Sequence, residues 1–263
     1  MDIAAQIFVS IRHLVIYKHI KDSLGLKKCR LVVGNPNKKN ITYQKFFRHG
    51  DDVESIKSIL MPIATDLLEK KIDYPLTMIY VPLKLCGFAY KIFEHVFGDK
   101  RYFPPGSAHI PINRMFAQFH AAQTSQMKDE ILKQLCLRQC KVRVVFATVA
   151  IGMGVDIPDI RHMIHVSPPC SVKAYFQETG RAGRDGKPSL ATLYYNNRDI
   201  GKNRVGMQDD MRNLCNSNDT CLRRLLLQCF DYTQEIVVDP LHSCCSVCQA
   251  HCKCSMCFDL QTS

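Results

Sequence analysis

The chain has 263 residues, a formal net charge of +11 and a pI near 9.0, with 46% apolar and 22% charged residues. That balance belongs to a folded globular protein rather than a disordered polyelectrolyte, and the length allows one or two domains with a real core. The basic surplus points to a polyanionic partner, and the longest run of apolar and small residues, 144–155, is shorter than the roughly 20 residues that span a bilayer, so no membrane partner is expected.

Residues 1–72 read as mostly helical and basic, with 13 Lys and Arg against seven Asp and Glu. Ile3, Ile7, Ile11, Leu14 and Val15 recur at helical spacing. Asp2 stands before this apolar stretch and Arg12, His13 and Lys18 lie within or after it, which is not a secretory signal. A short apolar strand is expected at 31–33, then a glycine/asparagine/proline turn, then a helix over 52–71 that Pro75 ends.

From there strand and helix alternate. The β-branched and aromatic run T-M-I-Y-V at 77–81 reads as a buried parallel strand. A helix is expected over 85–97, a loop at P-P-G (104–106), a strand over 115–120 and a helix over 126–140. Further strands are expected at 142–148, 161–166 and 191–195, with a helix over 172–179 capped by Ser171. The fold class is therefore α/β, a mainly parallel sheet flanked by helices, to which the cysteine-rich end described below adds a small helical zinc-binding subdomain. In such sheets ligands bind beyond the carboxyl ends of strands, where V-A-I-G-M-G-V-D (149–156) and S-P-P-C-S (167–171) fall.

The chemistry concentrates in Q-E-T-G-R-A-G-R-D-G, residues 177–186. Gly180, Gly183 and Gly186 permit a tight turn. Arg181 and Arg184 are three apart, so their guanidinium groups share one side. An arginine fork suits a polyphosphate because it offers two parallel charge-assisted hydrogen bonds and keeps its charge. A solvated basic turn is the plainer reading of the same ten residues.

Residues 146–159 (F-A-T-V-A-I-G-M-G-V-D-I-P-D) together with 177–186 resemble motifs V and VI of the RecQ family of DNA helicases, in the right order and separation. Phe119, His120 and Ala121 resemble the Y-H-A step that precedes motif V, and 77–81 stands in the place of motif IV. The resemblance covers residue 24 onward. It implies a RecA-like second motor domain at 73–200, a zinc-binding subdomain at 201–263, and a tail of the first motor domain plus linker at 1–72. It also implies roles by position. Arg184 is the arginine finger, Arg181 its neighbour for the phosphates or for Glu178, and Gln177 the glutamine that couples the two motor domains through the nucleotide. Asp156 lies near the ribose or in the interdomain network, with Gly154, Gly180 and Gly183 framing the nucleotide. Thr148 and His120 meet the nucleic-acid backbone without reading a base.

The sequence departs from the family where the nucleotide is first gripped. Neither G-x-x-x-x-G-K-[ST] nor a D-E-x-H-like box occurs. The chain therefore reads as a fragment or a truncated paralogue. ATP and Mg²⁺ would be used only with the missing first RecA-like domain. DNA, as a single strand or a junction with duplex, is the expected partner. The expected location is intracellular, and nuclear in a eukaryote.

Cysteine is the compositional outlier, with 14 in all and nine between 215 and 257. Without a signal peptide, metal binding is a better reading than a disulfide framework. A helix is expected over 211–231, carrying T-C-L-R-R at 220–224, which resembles the family's first zinc-ligand segment. Cys245 and Cys248 have the spacing of a metal knuckle. The expected Zn²⁺ ligands are Cys221, Cys245, Cys248 and Cys252, with Cys244, Cys254, Cys229 and His251 as rivals. The leading function is the C-terminal motor half of an ATP-dependent 3′-to-5′ helicase for recombination and repair. The alternative is a non-enzymatic, zinc-stabilised nucleic-acid- or partner-binding module.

Overall fold

The computed structural model describes residues 22, 23, 25, 35–50, 53–137, 139–148, 157–230, 232 and 234–257. The helix expected from Ile3 to Val15, the strand at 31–33, Gly154 and Asp156 lie outside the described residues.

Six parallel strands form one sheet in the order β1-β6-β5-β2-β4-β3. They are β1 Ile41–Phe47, β2 Thr77–Tyr80, β3 Phe116–Phe119, β4 Val144–Ala147, β5 His162–His165 and β6 Ser189–Tyr195. The short central strands are buried on both sides, as a parallel sheet covered by helices requires. Their side chains alternate between two cores. In β4, Val144 and Phe146 enter one and Val145 and Ala147 the other.

The first core lies under α1 (Val53–Lys70) and α2 (Leu83–Phe97). Ile56, Leu60, Ala64 and Leu67 make the buried stripe of α1 at helical spacing. On α2, Phe93 and Phe97 meet Phe116, and Phe93 also meets Phe146 edge-on at 4.9 Å between ring centres. Each such aromatic contributes about 1.5–3 kcal/mol by burial. The second core lies under α3 (Ser125–Leu135), α4 (Val172–Thr179), α5 (Asp209–Asn216) and α6 (Leu222–Gln228). Helix α3 starts at Thr124, whose hydroxyl accepts from the Met127 amide at 3.2 Å. It stops at Leu135, not at 140, because Cys140 and Val142 are themselves buried on the way into β4. The single helix expected over 211–231 is two, α5 and α6. The polar run S-N-D-T at 217–220 separates them, residues whose side chains compete for backbone hydrogen bonds.

Strand β1 falls within the stretch expected to be tail and linker. It pairs with β6 along its whole length, Ile41 with Ser189 through Phe47 with Tyr195. Its outer edge is covered by residues 243–246. The Tyr43 amide donates to the Cys244 carbonyl at 3.2 Å, and the Thr42 hydroxyl donates to the Ser243 carbonyl at 2.8 Å. A sheet edge that would otherwise offer open hydrogen bonds is thereby closed by the cysteine-rich end of the chain. No described helix is long and apolar enough to cross a membrane.

Candidate nucleotide-binding turn and metal centre

Ser171 caps α4 as its sequence suggests, its hydroxyl accepting from the Ala174 amide at 3.1 Å. At the other end the chain leaves the helix through Gly180, where a Cβ would lie 2.9 Å from the Phe176 carbonyl oxygen. Gly183 has φ +57°, and its Cβ would lie 2.3 Å from Asn40 Nδ2 and 2.8 Å from Ser189 Oγ. Only glycine fits there.

The turn is gripped from several sides. Asn40 Nδ2 donates to the carbonyls of Gly183 and Lys187 at 2.8 and 2.9 Å. The Gly183 amide donates to the Ile160 carbonyl at 3.0 Å. Arg161 donates to Asp185 Oδ2 at 2.6 Å, to Asp159 Oδ1 at 3.2 Å and to the Lys187 carbonyl at 3.2 Å. The hydrogen bond from Arg161 holds the Asp185 carboxyl down at about 2. Lys38 donates through Nζ to the Gly180 carbonyl. Its pKa is lowered, first by burial and then by the charge of Arg184. Two cations are therefore held close together, with Arg184 exposed and Lys38 half-buried. An anionic group bound there would relieve both. These residues thus fit a nucleotide phosphate.

Gln177 is exposed on α4, and Arg181 is half-buried after it. Glu178 turns inward instead. Its Oε2 lies 2.8 Å from Nε2 of His165, a buried ring stacked on Tyr80 at 4.6 Å. This pair fastens α4 to the end of β5.

The turn does not lie at the carboxyl edge of the sheet. Asn40 precedes β1, Ile160 and Arg161 precede β5, and Ser189 begins β6, so residues 180–188 sit at the amino edge. His120 and Thr148 lie at the opposite edge, one residue past the register partners Phe119 and Ala147. The Thr148 amide reaches the Phe119 carbonyl at 3.4 Å, and His120 Nε2 lies 2.9 Å from Gln118 Oε1. Four parallel residues separate the edges by about 13 Å. The chain leaves Thr148 at one edge and reaches Ile157–Ile160, against Gly183, at the other. Of the two segments expected beyond the carboxyl ends, 167–171 follows β5 at that edge, while 149–156 lies outside the described residues. Sequence reasoning missed Lys38, Asn40 and Arg161, because each acts on residues far along the chain and none carries a local signature.

The cysteines form two groups. Cys221, Cys244, Cys245 and Cys248 have sulfurs within 4.8 Å of one another. Cys221 Sγ lies 3.6 Å from Cys244 Sγ and 3.9 Å from Cys245 Sγ. Four thiolates at about 2.3 Å from a tetrahedral Zn²⁺ stand about 3.8 Å apart, so this group fits the ion. Among protein groups alone the sulfurs share little charge. Contact with Cys221 and Cys244 holds the Cys245 thiol well below its ordinary range, while burial pushes Cys248 up to about 12. A dication would let all four be thiolates.

The expected ligands Cys221, Cys245 and Cys248 are thus together, and the expected Cys252 is not among them. Cys245 caps helix α7 (Ser246–Ala250) and Cys248 lies in its first turn. Cys252 follows the far end, about 10 Å along the helix axis. The rival Cys244 takes its place. Arg223, beside this group and 1% exposed, donates to Asn37 Oδ1 at 2.9 Å, to the Lys38 carbonyl at 2.7 Å and to the Ile41 and Cys244 carbonyls. It also stacks over Tyr43, 5.2 Å from the ring centre. One guanidinium therefore joins segment 37–41, which grips the 180–187 turn, to the four-cysteine group.

Residues 106–186 match the helicase conserved C-terminal domain. Among curated relatives, the chain is 42% identical over 94 residues to the RecQ-like DNA helicase BLM of Xenopus laevis, covering 35% of this chain and 7% of that protein. It is 33% identical over 133 residues to the ATP-dependent helicase SGS1 of Saccharomyces cerevisiae, covering 44% of this chain and 9% of that protein. The matched part is less than a tenth of either relative. A solved structure described as Mss116p DEAD-box helicase domain 2 bound to an RNA duplex is similar with a TM-score of 0.47 and 16% identity, covering 66% of this chain and 59% of that one.

Proposed function

We propose that this chain, a RecQ-type helicase sequence carrying the conserved C-terminal helicase domain, is the second motor half of an ATP-dependent 3′-to-5′ DNA helicase acting in recombination and repair. The observation that carries this reading is Arg184, exposed on a turn that Asn40, Arg161 and Ile160 hold in place, beside the half-buried Lys38. In a eukaryotic cell it would work in the nucleus.

Bound ATP with Mg²⁺ supplies the phosphoryl group whose transfer to water drives movement, and a first RecA-like domain supplies the phosphate loop that this sequence lacks. Arg184 acts as the finger. A guanidinium fixed before the reaction stabilises charge that grows on the transferring group, at no cost in reorganisation. Arg181 and Lys38 add positive charge, and Gln177, Asp156 and Gly154 complete the nucleotide side, with Gly180 and Gly183 shaping the turn. Thr148 and His120 hold the DNA backbone at the other edge of the sheet. Zn²⁺ is held by Cys221, Cys244, Cys245 and Cys248 as a structural ion. Residues 1–72 begin with the tail of the first motor domain and the linker. Two edges with two ligands account for coupling, since the chain leaves Thr148 on the DNA side and is next described at Ile157–Ile160, on the nucleotide side.

The test joins this chain to a first RecA-like domain of RecQ type. Arg184→Ala is expected to lower DNA-stimulated ATP hydrolysis by about 10³-fold or more while nucleotide binding persists. Unchanged turnover would remove the assigned role.

A further inference from the structure

We infer that His242, Cys252, Cys254 and Cys257 form a second metal site, of Cys₃His type and suited to Zn²⁺, separate from the four-cysteine centre. His242 Nδ1 lies 3.6 Å from Cys252 Sγ, 3.3 Å from Cys254 Sγ and 3.4 Å from Cys257 Sγ, and all four atoms fall within 4.8 Å of one another. Zn–S and Zn–N bonds of about 2.3 and 2.0 Å at a tetrahedral angle put nitrogen and sulfur about 3.5 Å apart. The three observed separations bracket that distance.

Hydrogen bonding does not explain the arrangement. A ring nitrogen offers one proton or one lone pair, so it satisfies one sulfur and leaves two. A cation at the common centre satisfies all four. Hydrophobic packing does not explain it either. Cys252 and Cys257 are each 7% exposed, yet neither apolar core includes a residue beyond Cys248, and Met256 beside them is 67% exposed. A short segment without its own core needs a staple to hold a fixed shape. The backbone is already turned for the role: the Cys252 amide donates to the Gln249 carbonyl at 3.1 Å and the Cys257 amide to the Cys254 carbonyl at 3.0 Å. Three thiolates and an imidazole in tetrahedral array select Zn²⁺ over the harder Mg²⁺ or Ca²⁺.

The two sites interleave along the chain. His242 precedes Cys244, Cys245 and Cys248, and Cys252 follows them. The second ion therefore closes the loop that carries three ligands of the first, and should slow the first ion's escape.

The test uses the full chain, prepared with reductant and Zn²⁺, with metal content and free thiols measured together. About two equivalents of zinc per chain are expected, falling to about one in Cys254→Ser/Cys257→Ser and in His242→Ala. Chelator should then remove the remaining ion faster than from the unaltered chain. Co²⁺ substitution provides a readout independent of any variant: saturation should need about two equivalents, with spectral components of both S₄ and S₃N type. A single equivalent in the unaltered chain, unchanged by Cys254→Ser/Cys257→Ser, would overturn the proposal. So would Co²⁺ saturation at one equivalent, or a disulfide among Cys252, Cys254 and Cys257.

Discussion

Asn40 holds Gly183 from the one direction in which Gly183 cannot carry a side chain. The Asn40 amide donates to the Gly183 carbonyl at 2.8 Å, and a Cβ on Gly183 would meet that same nitrogen at 2.3 Å. Gly183→Ala should therefore destabilise the fold by about 2–4 kcal/mol, combining a left-handed backbone with an overfilled site. Asn40→Ala should cost about 1–2 kcal/mol through two lost hydrogen bonds. Since the alanine at 40 also removes the closest of the clashes, leaving that with Ser189 Oγ at 2.8 Å, the double variant should lose less than the sum. Denaturant unfolding of the four proteins measures this, and strict additivity would show that the two residues do not constrain each other.

The Arg161–Asp185 pair has a signature in pH. The Asp185 carboxyl, held at about 2, should stay ionised as pH falls from 5 to 3. A depressed folded-state value means the contribution is complete above the ordinary aspartate value of about 3.9 and fades as pH falls through about 2. Carboxyl-selective NMR should show no titration of Asp185 in that window. Arg161→Gln should bring its midpoint back up towards about 4.

Arg223 reaches four acceptors on two segments, 37–41 and Cys244, so its loss should be felt beyond its own helix. Arg223→Ala should destabilise by more than about 3 kcal/mol, because buried carbonyls lose their donor. Arg223→Lys should rescue little, since an ammonium cannot reproduce the planar fork. Thermal unfolding checks both, and full recovery with lysine would argue for charge alone.

Zinc removal should loosen one edge of the sheet and spare its centre. The Tyr43 amide, bonded to Cys244, should exchange its hydrogen faster after chelation, while amides of β4 should not. Cys248→Ser should reproduce the effect. Equal acceleration throughout would mean that the metal centre supports the whole fold rather than the β1 edge.

DNA binding should depend steeply on salt if the contacts are to phosphates. Thr148→Ala with His120→Ala should weaken binding for all sequences alike, by about 1–3 kcal/mol. In the complex with a first motor domain, affinity should change with nucleotide. Binding that ignores ATP under those conditions would favour the non-enzymatic module over the motor.

The central sheet was legible because buried parallel strands are unbroken apolar runs; 77–80 and 144–147 stand out for that reason, and Ser171 marks its helix start unaided. Strand β1 was not. I-T-Y-Q-K-F-F mixes polar with apolar residues, as an edge strand does, and it sits in a basic stretch that reads as linker. The glycines of the 177–186 turn announced a tight bend, but nothing local says which sheet edge it joins, since its partners Lys38 and Asn40 are 142 and 143 residues away. The metal ligands divided in the same way. C-x-x-C spacing gave Cys245 and Cys248, while the choice between Cys244 and Cys252 depended on the direction a five-residue helix takes after them.

The closure of β1 by residues 243–246 also bears on how the protein is made. Thr42 must wait for Ser243, 201 residues later, before its outer side is covered. On the ribosome the strand's inner partner and its cover both emerge late, so the sheet cannot be completed from its first strand outward. Such long-range pairing folds slowly and leaves an adhesive strand exposed meanwhile. Loading of zinc onto the cysteines would then act as the last step of assembly, and a cell starved of zinc should accumulate this chain in aggregates rather than as a loosened monomer.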